Sequence, residues 1–144
     1  MTRYLLDTNI ISDATRPVPS EPLRTWMMEQ LDEDLFISSL TIAEIRRGIL
    51  ELPDGRRRDR LEAWFSGAEG PRALFAGRIL PFDEAAGLAW ARLMAEGTAR
   101  GRPRSALDTI IAAIAETNGC ILVTDNERHF PDVTVLNPLR APER

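Results

Sequence analysis

Short apolar runs, each bounded by polar or turn-forming residues, recur along the chain. Runs of this length with little polar interruption are typical of strands that are buried inside a sheet. We predict strands at Arg3–Leu6, Leu35–Ile37, Ile79–Leu80, Cys120–Val123 and Val133–Leu136. The sheet is therefore expected to contain four to five strands.

Amphipathic segments fill the intervals between these runs. The clearest begins at Ser105 and ends at Asn118-Gly119, a common helix end. Its apolar residues recur at helical spacing, and they are Leu107, Ile110, Ile111 and Ile114. Further helices are predicted after the polar turn Asp7–Asn9, from Glu21 to about Gln30, around Ile42, Ile45 and Ile49, over Arg56–Phe65, and from Asp83 to Gly97. Because strands alternate with helices, we predict an α/β fold whose central, mostly parallel sheet carries helices on both faces.

Two connecting stretches carry turn signals and no helical periodicity. Gly70-Pro71 begins one predicted loop, and Thr98–Ser105, which is polar and basic, is expected to be a mobile surface loop. No internal repeat or shift in composition divides the chain. We therefore predict a single domain over residues 1–144.

Composition limits the kinds of site that this chain can build. Its residues are 44% hydrophobic, which is enough for one core without disulfides or a structural metal. Cys120 and His129 are each the sole residue of their type, so any metal must be held by oxygen ligands. No apolar stretch approaches the roughly 20 residues that cross a bilayer, and the N-terminal run is too short for a signal peptide. We expect a cytoplasmic protein with no membrane partner.

The charge pattern contains one observation against nucleic-acid binding and one in favour of it. A net charge of -4 argues against it, because nucleic-acid binders usually present a basic surface. However, all 18 basic residues are arginines, whose planar guanidinium groups suit phosphate contacts; coding bias is an equally good explanation of this usage. The run from Arg56 to Arg60 fits a solvated helix face. We expect Arg100, Arg102 and Arg104 to contact nucleic-acid phosphates near Asp108, which they closely precede.

Four carboxylates are expected to meet at one edge of the predicted sheet. Asp7 and Asp125 follow predicted strands, while Glu44 and Asp108 fall in the predicted first turns of two helices. In open parallel sheets the functional crevice lies beyond the carboxyl ends of the strands. These acids are our candidate catalytic residues.

Each acid also has a structural explanation. Asp7 and Asp108 suit helix N-termini, Thr41 to Glu44 forms a capping-box pattern, and Asp125-Asn126 is typical of an Asx turn. A shared site explains all four acids at once. Like charges about 4 Å apart repel by roughly 4 kcal/mol at an effective dielectric of 20, so a raised pKa, a nearby arginine or a hard divalent cation must offset them. Oxygen ligands favour Mg²⁺, with Mn²⁺ as an alternative.

Several motifs, taken in order, resemble those of PIN-domain toxins of the VapC and FitB kind. The resemblance extends from Tyr4 to Pro138, and its order and spacing are more specific than any single motif. The motifs are Tyr4–Asn9, Thr41–Gly48, Leu74–Asp83, Leu107-Asp108, Leu122–Asn126 with Phe130, and Asn137-Pro138.

This resemblance implies a three-layer α/β/α sandwich and a magnesium-dependent endoribonuclease. It implies that Asp7 and Asp108 bind the metal, with Glu44 completing the acidic site. It further implies a homodimer and an antitoxin whose basic tail enters the active site, with DNA contacted only through that antitoxin. The family's last site position corresponds to Asn126, while the acid Asp125 stands one residue earlier, so either residue is a candidate. Asn9 and Thr124 are expected as secondary contacts.

An aromatic and methionine-rich pair of segments suggests a partner surface. Trp26, Met27 and Met28 are consecutive, so at least one must point away from the core, and Trp64-Phe65 is a second such segment. Ordinary core packing is the alternative.

Two other functions share the predicted fold. A catalytically silent module would bind RNA or protein without turnover. A phosphate-transfer domain would need a lysine near the acids, and this chain has none. The Gly-x-x-x-x-Gly-Lys and Gly-x-Ser-x-Gly patterns of nucleotide and serine hydrolases do not occur in the sequence.

Overall fold

The computed structural model describes residues 2–131 and 133–139, and a sheet of five parallel strands forms its centre. The strands are β1 (Arg3–Leu6), β2 (Leu35–Ser38), β3 (Ile79–Leu80), β4 (Cys120–Val123) and β5 (Val135–Leu136). Their spatial order is β3-β2-β1-β4-β5, and each neighbouring pair is parallel. The predicted parallel sheet is confirmed. The single-domain prediction also covers positions 1, 132 and 140–144, which lie outside the described residues.

The described residues contain seven α-helices between the strands. They are α1 (Thr8–Ala14), α2 (Glu21–Met28), α3 (Ser39–Leu50), α4 (Arg56–Ser66), α5 (Pro71–Leu74), α6 (Glu84–Ala99) and α7 (Ala106–Thr117). Two short 3₁₀ segments, Asp32–Asp34 and Glu127–His129, precede β2 and follow β4.

Alternate residues of the central strands are buried in two separate hydrophobic cores, one on each face of the sheet. Leu5 and Leu122 are fully buried against α6 and α7, whereas Leu6 and Val123 are fully buried against α1 and α2. This alternation follows from the two-residue repeat of a strand. Helices therefore cover both faces of the sheet, which confirms the three-layer α/β/α arrangement.

Two connections differ from the sequence prediction. The chain at Gly70-Pro71 begins the one-turn helix α5 instead of a loop, because proline is well suited to the first position of a helix. Helix α6 continues past Gly97 to Ala99. A Cβ at Gly97 would lie 2.8 Å from the Arg102 carbonyl oxygen, so glycine permits the following turn to fold closely against the helix.

The length and polarity of the helices bear on whether any of them could cross a membrane. Among the described residues, none of them combines the length and the apolar character that a bilayer span requires.

Candidate active site

Asp7 occupies the point where β1 ends and α1 begins. Its backbone N–H donates to the Val123 carbonyl at 2.9 Å, so the ends of β1 and β4 are held together there. The Asp7 side chain caps α1, and the residue is only 7% exposed. The capping role proposed for Asp7 is therefore present, but it engages only one of the two carboxylate oxygens.

Both carboxylate oxygens of Asp7 are oriented by hydrogen bonds. Oδ1 accepts from the Thr8 N–H at 2.8 Å, and Oδ2 accepts from the Thr124 hydroxyl at 2.9 Å. Thr124 is fully buried, and its hydroxyl oxygen also accepts from the Asn126 N–H at 3.0 Å. The residue after β4 thus links the Asp7 carboxylate to the loop that carries Asp125 and Asn126.

Burial and neighbouring acids make the ionised form of Asp7 costly. Burial is the largest cause that raises the pKa of Asp7, which reaches about 6 instead of 3.8. The hydrogen bonds from Thr124 and Thr8 lower this pKa, while the charges of Glu44 and Asp108 raise it. Asp7, Glu44 and Asp108 therefore interact electrostatically, as expected for acids that share one site.

Glu44 lies in the second turn of α3, so the prediction that it belongs to the first turn is wrong. Ser38, rather than Thr41, caps this helix, and its hydroxyl accepts from the Thr41 N–H at 3.0 Å. The capping-box explanation of Glu44 is therefore also wrong, because it requires Thr41 to be the cap. Instead, Glu44 Oε1 accepts a hydrogen bond from the Thr8 hydroxyl at 2.6 Å.

Buried hydroxyl groups continue from Thr8 into the protein. The Thr8 and Thr41 hydroxyl oxygens are 3.0 Å apart, and the Ser38 hydroxyl donates to Thr41 Oγ1 at 3.2 Å. Ser38 and Thr41 are fully buried. This chain of hydroxyls joins the end of β2 to the start of α1 and positions Glu44. Sequence reasoning did not identify it, although Thr8 lies beside the candidate acid Asp7.

Asp108 lies in the first turn of α7, as predicted. Ser105 caps this helix by accepting from the Asp108 N–H at 3.3 Å. Asp108 Oδ2 is hydrogen-bonded to His129 Nδ1 at 3.1 Å. The sole histidine of the chain is therefore in direct contact with a candidate catalytic acid.

Asn9 and Asp125 form a pair at the outer side of the same site. The Asn9 side-chain amide donates to Asp125 Oδ1. Asn9 Oδ1 is buried and has no hydrogen-bond partner, and it is the one buried side-chain polar atom of this kind within residues 2–131 and 133–139. A buried oxygen without a partner is an acceptor that a bound water or ion would satisfy.

The structure brings all four candidate acids into one cleft of about 440 Å³. Both Asp125 and Asn126 line it, so each remains a candidate for the last site position. Its lining consists of Asp7, Thr8, Asn9, Ser12, Asp13, Arg16, Glu44, Asp108, Ile111, Asp125 and Asn126. No three acidic, histidine or cysteine side chains of the described part of the chain are arranged to hold a metal ion by themselves.

The predicted arginine cluster lies outside the lining of this cleft. Arg100, Arg102 and Arg104 belong to the turn between α6 and α7. The side chain of Arg104 passes the Gly97 backbone, where a Cβ would come within 3.0 Å of Arg104 Cγ. Contact of these arginines with RNA remains a prediction.

On the other side of α1 lies a second depression, which we call the apolar groove. It has a volume of about 580 Å³ and is lined by Ile11, Ala14, Thr15, Met27, Asp32, Leu35, Trp64, Glu69, Pro71, Leu74, Phe75 and Arg78. Met28 is 76% exposed, as expected for at least one of three consecutive apolar residues. Trp26 instead packs edge-on against Tyr4, with ring centroids 5.1 Å apart.

Comparison with known proteins identifies the family. The model of the PIN domain matches residues 4–136. The chain belongs to the PIN-domain family. It is similar to toxin FitB of Neisseria gonorrhoeae, with 37% identity over 93% of this chain and 96% of that protein. It is also similar to VapC ribonuclease Y4jK of Sinorhizobium fredii, with 34% identity over the same shares of the two chains.

Solved structures support the same assignment for this PIN domain. The structure of FitAB bound to an IR36 DNA fragment contains a chain with a TM-score of 0.89 and 34% identity. The match covers 97% of this chain and 98% of that chain. The predicted resemblance to VapC and FitB toxins is therefore confirmed.

Proposed function

We propose that this PIN domain is a metal-dependent endoribonuclease that acts as the toxin of a toxin-antitoxin pair. The observation that supports this most directly is the cleft in which acids from four distant parts of the sequence meet. Names of similar proteins supply the substrate class, because one relative is called a ribonuclease and another a toxin. The proposed reaction is hydrolysis of an RNA phosphodiester bond by water.

The residues of the cleft fit a hard divalent cation. All candidate ligands are oxygens, Asn9 Oδ1 lacks a partner, and the pKa of Asp7 is raised by burial and by two neighbouring acids. Mg²⁺ commonly binds through one or two carboxylates and keeps several waters, so a ready-made cage of three ligands is not required. Asp7 and Asp108 would hold Mg²⁺ or Mn²⁺, with Glu44 completing the site.

The protein's own groups set the geometry of this site. Bound there, the ion would activate a water and stabilise charge on the phosphoryl oxygens. Thr8 and Thr124 fix the orientation of the Asp7 carboxylate through their two hydrogen bonds. Thr8 also positions Glu44, while Asn9 holds Asp125. These contacts hold the side chains of Asp7, Glu44 and Asp125 at the cleft.

RNA cleavage tests the enzymatic proposal. With Mg²⁺ the wild type should cut RNA, and EDTA should abolish the reaction. Asp108→Asn should lower the rate by more than about 100-fold, because loss of a direct ligand should exceed the cost typical of an outer-shell change. Asp59→Asn, which changes an exposed aspartate on α4, is the matched control and should retain activity. Cleavage that survives both EDTA and Asp108→Asn would exclude this mechanism.

A catalytically silent binding module is the second candidate. The observation that favours it is that no three potential ligands of the described residues are arranged to hold an ion unaided. Such a module would bind RNA or a partner protein with no turnover on any RNA tested. Single-turnover assays at high enzyme concentration distinguish it from a slow nuclease.

We also propose that the apolar groove binds the antitoxin. The toxin relative FitB and the FitAB assembly on DNA suggest a small partner protein for this chain. The groove offers Leu74, which is 54% exposed, beside Trp64 and Phe75. Aromatic and aliphatic pockets of this type commonly anchor a partner's apolar side chains. The cytoplasm and a homodimer remain our expected location and assembly.

A further inference from the structure

Helix α1 presents a continuous polar stripe to the acidic cleft. Asn9, Ser12, Asp13 and Arg16 are spaced as neighbours on one helix face, and all of them line the cleft. Ile10, on another face, is fully buried in the core. Arg16 lies two residues past the end of α1, and its N–H donates to the Asp13 carbonyl at 3.1 Å, so the chain continues the helical path as far as Arg16.

Arg16 is the one basic residue among those that line the cleft. It is exposed, and among the described residues its side chain forms no hydrogen bond or ion pair. By contrast, Arg47, Arg58 and Arg92 are each paired with an acidic side chain. The guanidinium group of Arg16 is therefore available to a ligand without the loss of an existing contact.

The negative charge of the cleft suggests a function for Arg16. Five carboxylates line the cleft, and together they outnumber the positive charge of one divalent ion and one arginine. An RNA backbone that enters must approach this negative surface. A guanidinium at the entrance can offset the repulsion and form two parallel hydrogen bonds to a phosphate.

We propose that Arg16 binds the RNA phosphate next to the one that is cleaved. The stripe from Asn9 to Arg16 spans about 10 Å along the helix axis, so Arg16 lies beyond the acids that surround the reacting phosphate. This assignment rests on the proposed function, because it assumes that RNA occupies the cleft. It makes Arg16 a substrate-binding residue and leaves the acid chemistry to Asp7, Glu44 and Asp108.

RNA binding without turnover tests this assignment. The probe is a fluorescein-labelled single-stranded RNA of about 12 nucleotides, titrated into the Asp7→Asn protein and followed by fluorescence anisotropy. Adding Arg16→Gln should raise the Kd by about fivefold to tenfold and should reduce the salt slope by about 0.7, the value for one phosphate contact in a single strand. Arg16→Lys should recover part of the affinity.

The matched control is Arg72→Gln, which removes another exposed arginine, on α5, that has no side-chain partner among the described residues. It should leave the Kd within about twofold, because a single distant charge contributes little. Equal effects of Arg16→Gln and Arg72→Gln would overturn the proposal. Thermal unfolding of both variants verifies that they remain folded, and Arg16→Met, which also removes the charge, replaces Arg16→Gln in the comparison if the latter does not.

A double variant separates phosphate contact from simple charge balance. Asp13→Asn with Arg16→Gln restores the original net charge of the cleft. The introduced amide keeps a side-chain oxygen for the Ser20 N–H, which donates to Asp13 Oδ1 at 3.2 Å in the wild type. RNA affinity that stays below that of the parent supports direct contact, whereas full recovery would mean that Arg16 only neutralises Asp13. If Arg16→Gln weakens RNA binding but the wild type cuts no RNA, the contact stands and the nuclease proposal fails.

Discussion

The acidic cleft and the apolar groove share α1 but use opposite kinds of side chain. Asn9, Ser12 and Asp13 line the cleft, whereas Ile11 and Ala14 line the groove. In the cleft, a buried carboxylate is retained at an energetic cost and is held by hydrogen bonds. In the groove, apolar surface is left uncovered. One seven-residue helix therefore separates a region suited to chemistry from a region suited to a partner.

The largest effect that we expect is a pH dependence of the unfolding free energy, and it should arise from the cleft and not from the groove. Between pH 3.8 and about 6 the folded protein holds a proton on Asp7 that the unfolded chain has released. The stabilisation from this proton is complete below pH 3.8 and is lost as the pH rises through about 6. With EDTA present, this loss should amount to roughly 2–3 kcal/mol of unfolding free energy.

Urea unfolding between pH 4 and about 7 measures this contribution. Asp7→Asn should remove it, so the wild type should lose more stability than the variant as the pH rises. Asp59→Asn, an exposed aspartate outside the cleft, should follow the wild type. Parallel curves for wild type and Asp7→Asn would show that Asp7 titrates normally, and the electrostatic argument for a cation would then fail.

A charge introduced into the apolar groove should weaken antitoxin binding without any loss of RNA cleavage. Leu74→Glu places a carboxylate where we expect an apolar partner contact, and it should weaken antitoxin binding by about tenfold or more. Leu74 is 54% exposed, so the fold should tolerate this change. Titration with the antitoxin, together with an RNA cleavage assay, measures both properties.

Leu88→Glu provides the control for the groove, because Leu88 is 67% exposed on α6 and lies outside the groove lining. It should affect neither partner binding nor cleavage. Equal binding by Leu74→Glu and the wild type would place the antitoxin elsewhere. A parallel loss of cleavage in Leu74→Glu would show that the two regions are coupled through α1.

The strength of local sequence signals explains what could be predicted. The strand at Cys120–Val123 and the helix after Ser105 were evident because apolar runs, caps and Asn118-Gly119 all agree. The position of Asp7 followed from the same patterns. The turn of α3 that carries Glu44 was misassigned because both Ser38 and Thr41 suit a cap, and only the path of the chain leaving β2 selects between them.

Tertiary contacts explain what could not be predicted. The link from Asp108 to His129 joins α7 to a 3₁₀ segment whose course depends on how β4 and β5 pack. Arg16 continues the helical spacing of Asn9, Ser12 and Asp13, but this spacing alone does not show what the four residues face. Its relation to the cleft emerges only when α1 is placed beside the ends of β1 and β4.

The smallest expected effect concerns the support of the cleft rather than its acids. Thr124→Val is nearly isosteric but removes the hydroxyl that donates to Asp7 Oδ2, and the loss of this buried bond should cost about 1–2 kcal/mol of stability. The pKa of Asp7 should rise further because a contact that favours its ionised form is gone. Cleavage should fall by about tenfold with a shift of the pH profile to higher pH, and Thr124→Ser should restore both. A loss of stability with an unchanged pH profile would mean that Thr124 only fills space, and the cleft would then depend on its charges without the orientation that the hydroxyl provides.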